Sequence, residues 1–376
     1  MEYSEAHLTW PVVESPVIPV GSPYFPESTE RSLIGAFRRK QVSGASSEIA
    51  EVETMLAELW GAHSSLLVAN GSVALILALR AIGLPKNAEV LVPDFCYSAV
   101  ASSVIHAGGK PVFCEIDSDW NLSLESARKM VSPDVAAIVT VDNYGVARDW
   151  AQVHSWARLN GLAVIHDSAE GHGGKSSGLS LGHSADIVTT SFFANKILTS
   201  GEGGALIFPK KGDLFSIAKT LRGQGMSERH RYWFEEAGFN FRLSNLNASL
   251  LPPQINRFES LLARRREIFE RYDHHLSAVT VRFHDTKHLL HSPWLYSCLL
   301  PDTDVRALAR HLMGIGIESR PGFYPLSKMP AYVGNRHDQT SLAEKISRSM
   351  ISLPTYIELT DDQVDTVSSA VVNFVS

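Results

Sequence analysis

The chain has 376 residues, of which 44% are hydrophobic and 20% are charged, and its formal net charge is −6. This composition excludes a largely disordered chain, and an acidic balance without a long basic run argues against nucleic acid as the main partner. No apolar stretch reaches the roughly 18 residues of a membrane span. The few, widely spaced cysteines suit neither a disulfide framework nor a thiolate zinc site. We therefore expect a cytoplasmic protein without membrane contacts.

The N-terminal segment, residues 1–45, is rich in proline and serine and is predicted to be an arm that lies on the body of the protein. Beyond it, Ile49, Val52 and Leu56 recur at helical spacing. This spacing predicts an amphipathic helix that ends near Gly61.

Short apolar segments and helical patterns then alternate along the chain. This alternation is typical of a mostly parallel sheet with helices on both faces. We therefore predict an α/β fold with a seven-stranded sheet. The predicted strands are residues 66–68, 89–92, 111–113, 136–141, 162–166, 186–190 and 205–208.

One long helix is predicted over residues 255–272, where the alternation has ended. We expect Arg264, Arg265 and Arg266 on the solvent side of this helix. The remaining sequence mixes helical and strand-like segments, which indicates an α+β region.

These patterns divide the chain into three parts. The arm covers residues 1–45, a large α/β domain covers 46–257, and a smaller C-terminal α+β domain covers 258–376. Ligands of parallel sheets bind beyond the carboxyl ends of the strands, so the residues that follow each strand are the candidates for function.

The first predicted strand is followed by Asn70, Gly71 and Ser72, which open a helix. The free backbone N–H groups of such a turn can hold a phosphate. The same residues also make an ordinary helix cap, and both interpretations remain open at this point.

Asp167 follows the fifth predicted strand. A carboxylate at the end of a buried strand needs a partner, which can be a protonated ring nitrogen, a helix N-terminus or an arginine. His166 and His172 lie nearby in the sequence, but His166 and Asp167 point to opposite faces of a strand. No metal site is therefore predicted.

Lys196 lies shortly after Ser191, which ends the sixth predicted strand, and is surrounded by apolar residues such as Phe193 and Ile197. A solvated surface lysine is the ordinary interpretation, whereas desolvation would favour the neutral amine, which forms Schiff bases with aldehydes. Tyr97 follows the second strand and could cover a planar cofactor or pack in the core. Together, these groups are what pyridoxal phosphate requires.

The sequence resembles the fold-type I, pyridoxal phosphate-dependent nucleotide-sugar aminotransferases of the aspartate aminotransferase superfamily, most closely the branch of perosamine synthases. The resemblance runs from about Ile18 to the C-terminus and implies transfer of an amino group from an amino acid, by resemblance L-glutamate, to a keto sugar, by resemblance a nucleotide-linked 4-keto-6-deoxyhexose. The motifs that carry it are residues 70–75, 166–173, 191–204 and 238–245.

The resemblance also implies roles for individual residues. Lys196 is expected to form the internal aldimine with pyridoxal phosphate, and Asp167 to contact the pyridinium nitrogen. Tyr97 is expected to stack on the ring, and Glu170 to lie near the ring hydroxyl.

The phosphate of the cofactor is expected, by the same resemblance, to contact Gly71, Ser72 and Ser191. Asn240 matches an asparagine that reaches the phosphate in the neighbouring subunit. The expected assembly is therefore a homodimer with shared active sites.

The sequence departs from the family pattern at four positions. Ser72 and Cys96 replace threonines, Ser327 stands where many members have a substrate-side histidine, and Asn245 stands where some have aspartate. Cys96 and Ser327 leave the identity of the sugar open.

Three other functions remain open from the sequence. The sugar dehydratases of this fold have a histidine in place of the lysine, so Lys196 argues against them. An aminotransferase that acts on a keto-cyclitol or another carbonyl compound without a nucleotide fits the same motifs. A non-catalytic binding protein would show no turnover despite bound cofactor.

Overall fold

A seven-stranded sheet forms the centre of the computed structural model, which describes residues 9–12, 16–339 and 341–376. Its strand order is β1-β9-β8-β5-β4-β2-β3, and only β9 runs antiparallel to its neighbours. The strands of the chain are β1 Ser64–Val68, β2 Glu89–Pro93, β3 Lys110–Cys114, β4 Val135–Val141, β5 Ala163–Asp167, β6 Lys175–Ser176, β7 Leu179–Ser180, β8 Ile187–Ser191, β9 Gly204–Phe208, β10 Leu289–Leu290, β11 Tyr296–Leu299, β12 Arg320–Pro321 and β13 Met350–Leu353. The predicted mostly parallel, seven-stranded α/β sheet is thus confirmed.

Helices cover both faces of this sheet. Along each strand, alternate residues point to opposite faces: Leu67 and Leu91 pack in one hydrophobic cluster, and Leu66 and Val90 pack in the other. The helices are α1 Glu27–Arg38, α2 Glu48–Trp60, α3 Gly71–Ala81, α4 Ala99–His106, α5 Leu124–Met130, α6 Ala151–Leu159, α7 Leu214–Arg222, α8 Asn245–Ala248, α9 Leu251–Ile255, α10 Phe258–Leu276, α11 Val305–Gly314, α12 Ser341–Ser349 and α13 Asp361–Val375, with short 3-10 segments at Asn143–Gly145, Leu326–Lys328 and Pro330–Tyr332. In the described parts of the chain, no helix combines the length and the apolar character needed to cross a membrane.

Two smaller sheets accompany the central one. Strands β11, β13 and β12 form an antiparallel sheet that packs against α10, α11 and α13. Strands β10, β6 and β7 form the other. Strand β13 was not predicted from the sequence, since it follows helix α12 directly, without a turn signal between them.

The predicted arm falls partly outside the described residues, since residues 1–8 and 13–15 are not among them. Its described part contains helix α1, which is anchored on the body of the protein. The Ser32 hydroxyl donates to the Ser249 carbonyl at 2.7 Å.

The long helix predicted over residues 255–272 corresponds to α10, and its predicted first residue, Ile255, is the last residue of the short helix α9. The backbone leaves helical geometry at Arg257, where φ is −112° and ψ is 11°. The new helix then begins at Phe258 and continues to Leu276.

The prediction that Arg264, Arg265 and Arg266 all face solvent is wrong for Arg265, which is only 3% exposed. Three successive residues of a helix are spread over roughly 200° of its circumference, so they cannot share one face of a helix that is packed on several sides. The guanidinium of Arg265 donates to the backbone carbonyls of Pro293, Trp294 and Thr355.

Gly204 brings strand β9 close to the turn that precedes α3. A methyl group at this position would lie 2.6 Å from the carbonyl carbon of Asn70 and 2.8 Å from the nitrogen of Gly71. Because both contacts are with backbone, Gly204→Ala should lower the free energy of unfolding by about 1–3 kcal/mol. Urea denaturation would measure this loss.

Gly212→Ala is the matched control for this prediction. A methyl group there meets nothing within 4 Å, so its unfolding midpoint should stay close to that of the wild type. Equal midpoints for the two variants would contradict the close approach of β9 to the turn.

Candidate active site

A cavity of about 480 Å³ lies at the carboxyl ends of the central strands, next to the antiparallel sheet of β11, β13 and β12. It brings together most of the residues selected from the sequence. Those that line it are Gly71, Ser72, Tyr97, Asp167, Glu170, Ser191 and Lys196.

One end of the cavity is formed by the N-terminus of α3. The Asn70 side chain caps this helix by accepting a hydrogen bond from Val73 N at 3.0 Å. Gly71 lies so close to the end of β8 that a methyl group on it would be 3.0 Å from Ser191 Cβ. The Ser191 hydroxyl and the first N–H groups of the helix therefore stand together, as a phosphate site requires.

The Asp167 carboxylate lies at the end of β5 and is buried. Its Oδ1 accepts hydrogen bonds from Ala169 N at 3.1 Å and from the Thr189 hydroxyl at 3.3 Å. Burial nevertheless raises the pKa of Asp167 to about 6. A cationic partner would offset this cost of burial.

Lys196 lies between an acid and an aromatic ring. Its Nζ is 3.9 Å from Glu170 Oε1 and 3.9 Å from the centroid of the Trp294 ring, and 11% of its side chain is exposed. Burial lowers the pKa of Lys196 and raises the pKa of Glu170. The Oε2 atom of Glu170 accepts a hydrogen bond from Tyr144 N at 2.7 Å. The interpretation of Lys196 as a solvated surface lysine is thus excluded.

Aromatic residues form the opposite wall. Phe323 stacks on Tyr144, with 4.7 Å between the ring centroids, and its backbone N–H donates to the Tyr144 hydroxyl at 2.7 Å. Tyr97 is 62% exposed and lies 6.1 Å from Phe323. The Tyr97 ring is therefore accessible to a planar ligand.

Two of the departures from the family pattern lie behind this wall. Ser327 donates to the buried Asp94 through its N–H, at 2.6 Å, and its hydroxyl, at 2.7 Å. Burial raises the pKa of Asp94 to about 6. Cys96 is also buried, and its thiol donates to the Pro93 carbonyl at 3.4 Å.

Asn240 stands apart from the other predicted residues. It pairs with Gly223 in an isolated β-bridge, is exposed, and does not line the cavity of its own chain. The preceding segment carries three exposed aromatic residues, Tyr232, Trp233 and Phe234.

The two histidines near Asp167 bind other side chains. His166 contacts Asp142 through Nε2 at 2.9 Å and Thr140 through Nδ1 at 2.8 Å, and His172 contacts Thr190 at 2.7 Å. Across residues 9–12, 16–339 and 341–376, no three His, Cys, Asp or Glu side chains are grouped as metal ligands.

Several residues that line the cavity were not predicted from the sequence. Tyr144 follows β4, so the same search beyond strand ends could have found it. Trp294, Arg320 and Phe323 come from the C-terminal part of the chain and carried no local signal.

Comparisons with known proteins found similar proteins over most of the chain. A family model described as the DegT/DnrJ/EryC1/StrS aminotransferase family matches residues 27–372. The chain is 33% identical over 362 residues to the GDP-perosamine synthase of Caulobacter vibrioides, with 94% of this chain and 97% of that protein covered. It is 29% identical over 332 residues to the UDP-2-acetamido-2-deoxy-3-oxo-D-glucuronate aminotransferase of Pseudomonas aeruginosa, with 87% and 90% covered.

The fold is also similar to that of a solved structure, Helicobacter pylori PseC, an aminotransferase involved in the biosynthesis of pseudoaminic acid. The TM-score is 0.89 at 22% identity, and the match covers 95% of this chain and 98% of the other. At this identity, the likeness concerns the fold alone.

His172 is buried and accepts a hydrogen bond at Nδ1 from Leu198 N at 3.4 Å, and this burial makes stability depend on pH. Burial lowers the pKa of His172 from 6.5 to about 3, so the folded state resists a proton that the unfolded state accepts, and stability is lost as the pH falls below 6.5. His172→Leu should reduce the slope of the unfolding free energy between about pH 6 and pH 4 by up to about 1.4 kcal/mol per pH unit. Urea unfolding at several pH values would measure it.

The control for this prediction is His63→Leu at an exposed position, which should keep the wild-type slope. If His172→Leu also kept the wild-type slope, His172 could not be a buried neutral side chain.

Proposed function

Since this chain belongs to the DegT/DnrJ/EryC1/StrS aminotransferase family and is a pyridoxal phosphate-dependent aminotransferase, we propose that it transfers an amino group from L-glutamate to a nucleotide-linked keto sugar. The observation that carries this proposal is the buried amine of Lys196, which lies beside Glu170 in the same cavity as Asp167.

The residues of the cavity fit the cofactor group by group. The N-terminus of α3, with Gly71, Ser72 and Ser191, suits the phosphate, because helix N-termini attract anions. The exposed ring of Tyr97 can cover one face of the pyridine ring. A cavity of about 480 Å³ also leaves room for a sugar.

Asp167 supplies the charge that the ring nitrogen needs. The pKa of Asp167, raised by burial to about 6, would fall again next to a protonated nitrogen, since an opposite charge favours the ionised carboxylate. The same pairing keeps the nitrogen protonated, and pyridoxal phosphate, when bound, then acts as an electron sink for the carbanion of the amino acid.

Lys196 is the residue to which we assign transfer of the proton from the α-carbon of the amino donor. We assign to its Nζ the covalent bond to the aldehyde carbon of the cofactor in the resting enzyme. Released by a substrate amine, Nζ would be the base that takes the proton from the α-carbon of the donor and the acid that returns it to the former aldehyde carbon of the cofactor. Burial serves this role, because it lowers the pKa of Lys196 and so favours the neutral base.

The acceptor is inferred from the relatives together with the cavity. A GDP-linked and a UDP-linked sugar enzyme are both similar to this chain, which supports a nucleotide-linked acceptor without choosing between the nucleotides. A ketone on a 4-keto-6-deoxyhexose would gain the amino group, while glutamate leaves as 2-oxoglutarate. A sugar dehydratase is not favoured, because Lys196 is present.

We also propose that two chains complete each site. The exposed position of Asn240 outside its own cavity supports a contact with the phosphate in a second copy of the chain.

With the domain boundary placed near residue 257, Trp294, Arg320 and Phe323 close the cavity from the smaller domain.

The acceptor class can be tested with the pyridoxamine form of the enzyme. Mixed with GDP-linked and UDP-linked keto sugars and with free keto-cyclitols, it should regain its visible absorbance only with a nucleotide-linked compound. Lys196→Ala should slow this return by at least about a thousandfold, since it removes the proton-transfer group. Lys86→Ala, on the surface, is the matched control.

A return of absorbance with a free keto-cyclitol alone would contradict the nucleotide-linked acceptor. Wild-type speed in Lys196→Ala, without added amine, would contradict the role of the lysine.

The shared site can be tested by mixing two variants. Lys196→Ala and Asn240→Ala should each be impaired, but a heterodimer of the two contains one site without either defect if Asn240 acts across the interface. Mixing should therefore raise activity above the sum of the separate samples. Full activity of a sedimenting monomer would contradict the shared site.

A further inference from the structure

The indole ring of Trp294 lies directly against the amine of Lys196. The distance from Nζ to the ring centroid is 3.9 Å, and Glu170 Oε1 lies 3.9 Å from the same Nζ. A tryptophan face attracts an ammonium group, most strongly away from water. The amine thus has two attractive neighbours, and neither is at hydrogen-bonding distance.

The indole is fixed by hydrogen bonds at both ends of the residue. Its Nε1 donates at 3.0 Å to the carbonyl of Asn195, the residue that precedes Lys196. Its own backbone carbonyl accepts a hydrogen bond from Arg265 at 2.6 Å. Trp294 is also only 5% exposed, so the ring is held against the backbone next to Lys196.

Arg265 is buried beside Trp294 and holds the backbone around the indole. A buried guanidinium is costly, and the hydrogen bonds of its Nη1 are with the carbonyls of Pro293, Trp294 and Thr355. These contacts fix the backbone on both sides of the indole. Helix α10 therefore determines where the ring lies.

We propose that Trp294 is a positioning residue for Lys196, whose amine rests on the indole face whenever it is not bonded to the cofactor. This inference rests on the proposed role of Lys196 in proton transfer. A ring face attracts the charge without a directional hydrogen bond, so the amine stays near the reacting carbons and leaves readily when its proton is transferred.

Other charged groups also act on the amine. Asp167 and Glu170 favour its protonated form, whereas Arg320 disfavours it and His172 lies nearby. A test must therefore change the ring and leave these groups in place. Trp294→Phe keeps an aromatic face that attracts the ammonium group more weakly, and it lacks the indole N–H group. Trp294→Leu removes the aromatic face and the N–H group.

The titration of Lys196 can be measured in the pyridoxamine phosphate form, in which its amine is free. The rate of acetylation of Lys196, followed by mass spectrometry across pH, gives its pKa. Trp294→Leu should lower this pKa by about one unit, a tenfold change, because the ammonium loses the ring. Trp294→Phe should lower it less, and Trp156→Phe on α6 should leave it unchanged.

Turnover supplies a second readout. Trp294→Leu should reduce kcat about tenfold and leave the KM for the amino donor nearly unchanged, because the amine loses the contact that keeps it near the reacting carbons. If Trp294→Leu does not fold, Trp294→Met fills the space without a ring and replaces it.

An unchanged titration of Lys196 in a folded Leu or Met variant would overturn the proposal. Equal shifts in Phe and Leu variants would overturn it as well, since the lost N–H bond to Asn195 would then account for the effect. The titration involves no acceptor, so a wild-type enzyme inactive on every nucleotide-linked sugar would contradict only the proposed function.

Discussion

The burial of charge around Lys196 is the constraint on which the rest of the site depends. Removing the amine and two carboxyl groups from water shifts all three pKa values towards the neutral forms. Glu170 and Trp294 attract the amine from 3.9 Å, which keeps it close without a tight ion pair. The strands, the helix N-terminus and the buried Arg265 all hold these groups in place.

The sequence was sufficient for the central sheet, because buried parallel strands are short apolar segments whose ends can be recognised without knowledge of their partners. It also brought Asp167 and Lys196 to one edge of this sheet, since residues that follow the ends of parallel strands meet there. The roles proposed for them came from the family resemblance. It could not reveal Trp294 or Phe323, which reach the cavity from distant parts of the chain. Arg265 was assigned to solvent because its sequence neighbours are charged, although its direction depends on what packs around α10.

The contact between Ser327 and Asp94 bears on substrate choice. Both donor groups of Ser327 are used by a buried carboxylate, so this residue fixes the loop and does not line the cavity. Phe323, stacked on Tyr144, forms the wall instead. In this chain, the wall therefore presents an aromatic surface to an acceptor. The histidine that many family members have on the substrate side is absent at Ser327.

The position of β1 at the edge of the sheet has a consequence for how the molecule is made. Its described strand neighbour is β9, which pairs Val68 with Gly204. The turn that begins at Asn70 therefore lacks its contact with Gly204 on the growing polypeptide until β9 has been synthesised. Because β9 follows β1 at a long distance in the sequence, the end of the cavity at the N-terminus of α3 can make its contacts with Gly204 only after β9 has been synthesised, although its own residues leave the ribosome first.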